Sequence, residues 1–240
     1  MTIVIELVIV IIGVFVGTQV SNWNANRLEH AQTQRMLTQL SPQLNDFKDY
    51  MNAAQMYFSV TRRYADTALA GWHNDPRVSN REFVIAAYQS SQVYGWNAGA
   101  SWANVLGLDR LRDIDDPEMR SELAYLASAN YAAMNADALD TPYRRNVRRI
   151  VPLPIQDAIR KGCGDRFPLN HPAIVSLPRQ CPIAISAGDA AEAAAALRRY
   201  PDLVQDLQWH IAAVESFTGN LRPFEYATRK LLKNIAQGKS

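Results

Sequence analysis

Leu40 to Ala70 reads LSPQLNDFKDYMNAAQMYFSVTRRYADTALA, and one set of its positions recurs at alternating steps of four and three: Leu40, Leu44, Phe47, Met51, Ala54, Phe58, Thr61, Ala65 and Ala68. That is a heptad seam, a helix face that must be covered by other helices. Gly71 ends it. Upstream, Ser41-Pro42 has the form of an N-cap followed by Pro at the first helical position, so the helix is expected to kink or restart there.

Similar signals follow along the chain. Ser79 and Glu82 occupy capping-box positions for a helix near Arg81 to Tyr94. Asp116-Pro117 starts another, with Leu123, Leu126, Asn130 and Ala133 at seam spacing, running toward Pro142 and an Arg-rich turn. Leu203, Leu207, Ile211, Val214, Phe217 and Leu221 form a long apolar stripe, after which Pro223 marks a kink before Leu231 and Leu232. Strand-like alternation is confined to Ala173–Leu177 and Ile183–Ile185, enough for a short ribbon at most. The expected fold class is all-α, an antiparallel bundle of about four long helices with an irregular, Pro-rich loop over about residues 162–186.

Ile3 to Val20, IVIELVIVIIGVFVGTQV, is of a different kind. Its one ionisable residue is Glu6, and eighteen positions reach roughly 27 Å along a helix, close to a bilayer's hydrocarbon thickness. Trp23 falls where an interfacial aromatic anchor belongs. A cleaved signal peptide would open on basic residues and close on small ones, and a buried core helix would carry a polar face; this run has neither. Residues 1–24 are therefore expected to be a retained transmembrane anchor and residues 25–240 a helical extramembrane domain.

Gly13, Gly17 and Ser21 are spaced by four, a smooth stripe that lets another helix approach closely. Glu6 lies on the same face, where it either meets a partner or reaches the headgroups. The expected partners are other transmembrane proteins or a second copy of the chain.

The whole chain is 48% hydrophobic and 20% charged, with a net charge of +2, which excludes a disordered chain and gives no case for nucleic acid. Cys163 and Cys181 flank GDRFPLNHPAIVSLPRQ, a segment that cannot hold itself by packing. A bond between them would add about 3 kcal/mol, in an oxidising compartment only; the alternative is two free thiols.

Catalytic signals are sparse. His30, His73, His171 and His210 stand without metal-ligand spacing, and the acidic group Asp109, Asp113, Asp115 and Asp116 lacks a calcium loop's pattern. No nucleophile elbow or phosphate-binding loop is present. No cofactor, metal or enzymatic activity is expected. Arg144, Arg145, Arg148 and Arg149, if helical, share one side and suit anionic lipid or an acidic partner; a solvated face is the ordinary alternative. Trp96 and Trp102, with Tyr88 and Tyr94, suit a pocket or fill a core.

Glu6 opening an apolar run, Gly13 within it, and Gln19 followed by Asn22-Trp23-Asn24 resemble the start of a family of uncharacterised bacterial single-pass membrane proteins with a helical extramembrane domain. A second segment, Ser101 to Tyr131, resembles that family's Leu-Gly turn, acidic turn and Arg-bearing helix. The resemblance implies an inner-membrane protein with a periplasmic domain. Family members carry basic residues before the span, whereas here Arg27 and Arg35 follow it and none precedes it. Read literally, that flank places the domain in the cytoplasm; a start farther upstream would supply the missing charges, and the cysteines favour the periplasm.

Two functions follow. The first is a non-catalytic accessory subunit that packs its membrane helix on partner helices and its bundle on an extramembrane surface. The second is a periplasmic ligand-sensing bundle with its pocket near Trp96 and Trp102.

Overall fold

A computed structural model of the chain describes residues 2–95, 111–169 and 174–238, without the side chains of 2–10, 132 and 133. The described residues are helical, with no strand: α1 (Thr2–Trp72), α2 (Asn80–Gln89), α3 (Pro117–Ala127), α4 (Pro142–Ile150), α5 (Leu153–Cys163), α6 (Ala187–Arg198) and α7 (Asp202–Ala236). Among the described residues, two long helices and five short ones replace the expected four long ones. The all-α class is as expected.

The seam in α1 is buried at every position from Leu40 to Ala68. The helix does not restart at Ser41-Pro42 but runs through Pro42. An interior Pro costs about 3 kcal/mol, while burying Leu40 and Leu44 on either side contributes roughly 2 kcal/mol each. Continuity of the seam wins. Asn74, at φ 56°, closes the helix in the left-handed region that Asn tolerates. α7 likewise continues through Pro223.

Two helices stop earlier than their patterns suggest. α2 has its full capping box at Ser79 and Glu82 but ends at Gln89, where Ser90 and Ser91 turn their hydroxyls onto the Ala87 and Tyr88 carbonyls. α3 is capped by Asp116 as expected and ends at Ala127; two 3-10 turns, Tyr131–Met134 and Ala136–Leu139, take the place of its predicted continuation. Asn135 caps the second turn through its side chain and so interrupts the seam.

The chain packs as two units, to each of which α1 and α7 contribute segments. The first comprises residues 1–45, 101–128 and 227–240. Its buried side chains include Met36, Leu37 and Leu40 of α1, Met119, Leu123 and Leu126 of α3, and Leu231 of α7. Lys230 bridges Glu118 and Glu122 at 2.6 and 3.0 Å, and the Thr33 hydroxyl donates to the Asp113 carbonyl.

The second unit comprises residues 46–100 and 129–226. Its core joins Ala65, Ala68 and Trp72 of α1 to α2, Tyr143 and Val147 of α4, Ile155 and Ile159 of α5, α6, and Leu203 and Leu207 of α7. Within it α1 and α7 run antiparallel: Gln55 meets Glu225, Phe58 packs edge-on against Phe217, and Arg62 pairs with Glu215. Cys163 and Cys181 are paired at disulfide distance, with Cα atoms 5.2 Å apart. The loop between them is held by the Gln89 amide donating to the Cys163 carbonyl and by the Tyr64 hydroxyl donating to that of Pro178. Among its described residues, strand-like character amounts to one antiparallel bridge, Arg166 with Ser176.

Candidate functional site

In the first unit, the described part of the apolar run projects as bare helix. Ile11, Ile12, Val14, Phe15, Val16 and Val20 are each 52–63% exposed, on all sides of α1. A Cβ added to Gly13 or Gly17 would meet nothing within 4 Å, so the stripe they form with Ser21 is open. The Thr18 hydroxyl returns to the Phe15 carbonyl at 2.8 Å, which pairs that side-chain donor within the helix. Trp23 is exposed, with the Arg27 guanidinium 5.4 Å from its ring centroid. Glu6 lies outside the described side chains. Among the described residues, no helix is long and apolar enough to cross a membrane; Ile11–Val20 alone measures about 15 Å.

In the second unit, the four arginines do not form one face. Thr141 caps α4 with Pro142 at its first position, and the helix turns Arg144 and Arg148 inward while Arg145 and Arg149 stay exposed. The reason is helical geometry: positions one apart diverge by about 100°, so only the pairs four apart align. Arg144 donates to the Ser91 carbonyl at 2.8 Å, and Arg148 to the Gln92 side-chain oxygen at 2.9 Å while lying over the Tyr88 ring. Beside them the Tyr57 hydroxyl donates to Asp165 at 2.8 Å. Burial raises the Asp165 carboxyl above its usual range, opposed by the Tyr57 hydrogen bond and the two arginine charges. Burial, reinforced by the Asp165 charge, also raises the Tyr57 phenol. Among the described residues, Arg145 makes a 3.9 Å contact with Asp140.

His210 sits next to this network and is 2% exposed. Its Nδ1 is 2.7 Å from the Thr141 hydroxyl, and its ring packs against Tyr143, whose own hydroxyl meets the Ala87 carbonyl and Ser90 Oγ. Burial lowers the imidazole to about 4, helped by the Arg144 charge and opposed by the nearby Ser90 carbonyl, so the ring is neutral at pH 7. Nε2 nevertheless makes no hydrogen bond of acceptable geometry. His210 lines a cleft of about 280 Å³ whose other walls include Phe58, Ala65, Ile211 and Val214, with Arg62, Glu215 and Arg222 at its edge.

Sequence reasoning missed this cleft, although a signal existed. Leu203, Leu207, His210, Val214, Phe217 and Leu221 are spaced four and three throughout, and that series, with His210 in place of Ile211, is the buried one. Trp96, Trp102 and His171 lie outside the described residues. Tyr88 and Tyr94 are buried, and Tyr94 packs edge-on against Tyr50. Of the acidic group, Asp116 caps α3 and Asp115 lies 3.3 Å from His30. Among the described residues no cluster of three metal-ligating side chains occurs.

No family model matches the chain, and neither a curated protein nor a solved structure is similar enough to it to match.

Proposed function

We propose that the protein is a non-catalytic single-pass membrane accessory subunit, anchored through Ile3–Val20 and offering its Gly13, Gly17 and Ser21 stripe to a partner helix. The observation that carries this reading is the bare apolar helix with its open glycine stripe. An apolar rod exposed on every side is costly in water, at about 25 cal/mol per Å². Lipid removes that cost, and the glycines allow a second backbone to pack where no hydrophobic effect draws helices together. Trp23 with Arg27 suits the headgroup boundary, an aromatic body under a cation.

On this reading Glu6 shares the stripe and meets the partner or the headgroups. The resemblance of residues 6–24 to bacterial inner-membrane proteins, together with the paired cysteines, supports a periplasmic domain in the inner membrane. The exposed Arg145 and Arg149 are what remains of an anionic-partner patch once Arg144 and Arg148 are committed inside.

The test is recovery in mild detergent from native membranes. Replacing Gly13 and Gly17 by Leu should separate the chain from a defined complex while leaving it in the membrane fraction. Unchanged co-purification, or a chain found in the soluble fraction, overturns the reading.

A further inference from the structure

The cleft beside His210 is a built polar and apolar slot that the accessory role does not use. α1 and α7 form its sides, and His210 and Arg222 mark its ends, twelve residues or about 18 Å apart along α7. Phe58, Ala65, Ile211 and Val214 give it an apolar middle.

The two ends differ in chemistry. At the inner end, Thr141 Oγ1 accepts from the Arg144 backbone at 3.4 Å, and His210 Nδ1 is the acceptor available for its own proton. With Nδ1 as that acceptor, the ring's hydrogen sits on Nε2, where the nearby Ser90 carbonyl makes no hydrogen bond of acceptable geometry. A buried donor left unpaired is costly, and an oxygen atom from a ligand would recover that cost. At the outer end, Arg62 is already held by Asp66 and Glu215, whereas Arg222 is exposed and makes no ion pair among the described residues. Among the described residues, Arg222 thus leaves one positive charge unpaired at the mouth.

The volume sets the size. At 280 Å³ the cleft lies at the small end of ligand pockets, which run from about 300 to 1,000 Å³, and so suits a small ligand.

We propose that this slot binds a small elongated organic anion: a medium-chain carboxylate bearing an oxygen function at its far end. The carboxylate pairs with Arg222, the chain lies over Phe58, Ala65, Ile211 and Val214, and the far oxygen accepts from His210 Nε2. The site uses none of residues 1–24, so it stands or falls independently of the anchor. It also differs in place from a pocket at Trp96 and Trp102.

The experiment is a calorimetric titration of the purified full-length chain with ω-hydroxyoctanoate and with octanoate. The hydroxy compound should bind saturably at one site and octanoate about tenfold more weakly, the worth of one hydrogen bond to a buried donor. Arg222→Gln, at an exposed position, should weaken both by about tenfold or more. Thr218→Trp, which fills the slot from a half-buried position, should abolish both. His210→Phe should bring the hydroxy compound down to the level of octanoate and leave octanoate unchanged; the Arg222 and Thr218 variants keep the test decisive if that buried change unfolds the chain. Absence of saturable binding overturns the proposal. So do equal affinities for the two probes, or affinities that survive both Arg222→Gln and Thr218→Trp.

Discussion

Replacing Cys163 and Cys181 by Ser removes the bond that closes the loop between α5 and α6. The sequence separation is 18, and in the chain-entropy model closing a loop of that length is worth about 3 kcal/mol at 25 °C. The loop's other attachments, from Gln89 to Cys163, Tyr64 to Pro178 and Tyr57 to Asp165, contribute about 1 kcal/mol each and persist without the bond. The second unit should therefore stay folded but lose about 3 kcal/mol, a fall of roughly 6–12 °C in Tm for a domain of this size. Trp72, at the edge of that unit's core, gives the fluorescence signal. Hydrogen exchange of residues 57–64, which lie under the loop, should accelerate in parallel. Equal urea midpoints for the oxidised and Ser forms, with the bond verified by mass, would show that the bond does not stabilise the second unit.

Further predictions concern single residues. Because His210 is held at about 4 in the folded chain against 6.5 as an ordinary His, the unfolded chain takes up its proton first as pH falls. The His210 contribution to stability is therefore level above about 6.5 and declines between 6.5 and 4 by about 3 kcal/mol; urea unfolding at pH 7 and 4.5, compared between the natural chain and His210→Gln, should show the difference. Gly71→Ala drives a methyl group into the buried Phe83 ring and should cost about 1–3 kcal/mol, with a coupling to Phe83→Leu visible in a double-mutant cycle. Asp116 accepts from the Glu118 and Met119 amides, so Asp116→Ala should cost α3 about 1 kcal/mol, read as roughly fivefold faster exchange in its first turn.

What the chain discloses in advance follows the range of each signal. Periodicity is local, so the burial of Leu40 through Ala68 and the cap at Ser79 could be read directly. Breaks were harder. Pro42 looks like a start because its local cost is visible, while the seam that overrides it depends on tertiary burial. Ser90 and Ser91 end α2 through competition for carbonyls that composition does not reveal. The cleft needed two facts from distant places, an inward His210 and a Thr141 cap that fixes its ring, 69 residues apart. Splitting the arginines into inward and outward pairs required knowing that α4 lies against α2, where the Ser91 carbonyl and Gln92 side chain receive them.

If the protein is a membrane accessory subunit, the Gly13, Gly17 and Ser21 stripe faces a partner within the membrane. A photo-reactive residue placed at Ser21 and, separately, at Phe15 on the opposite side of α1 tests it in native membranes. A discrete protein cross-link is expected from position 21 and none from position 15. Equal cross-linking from both positions, or none from either, would contradict it.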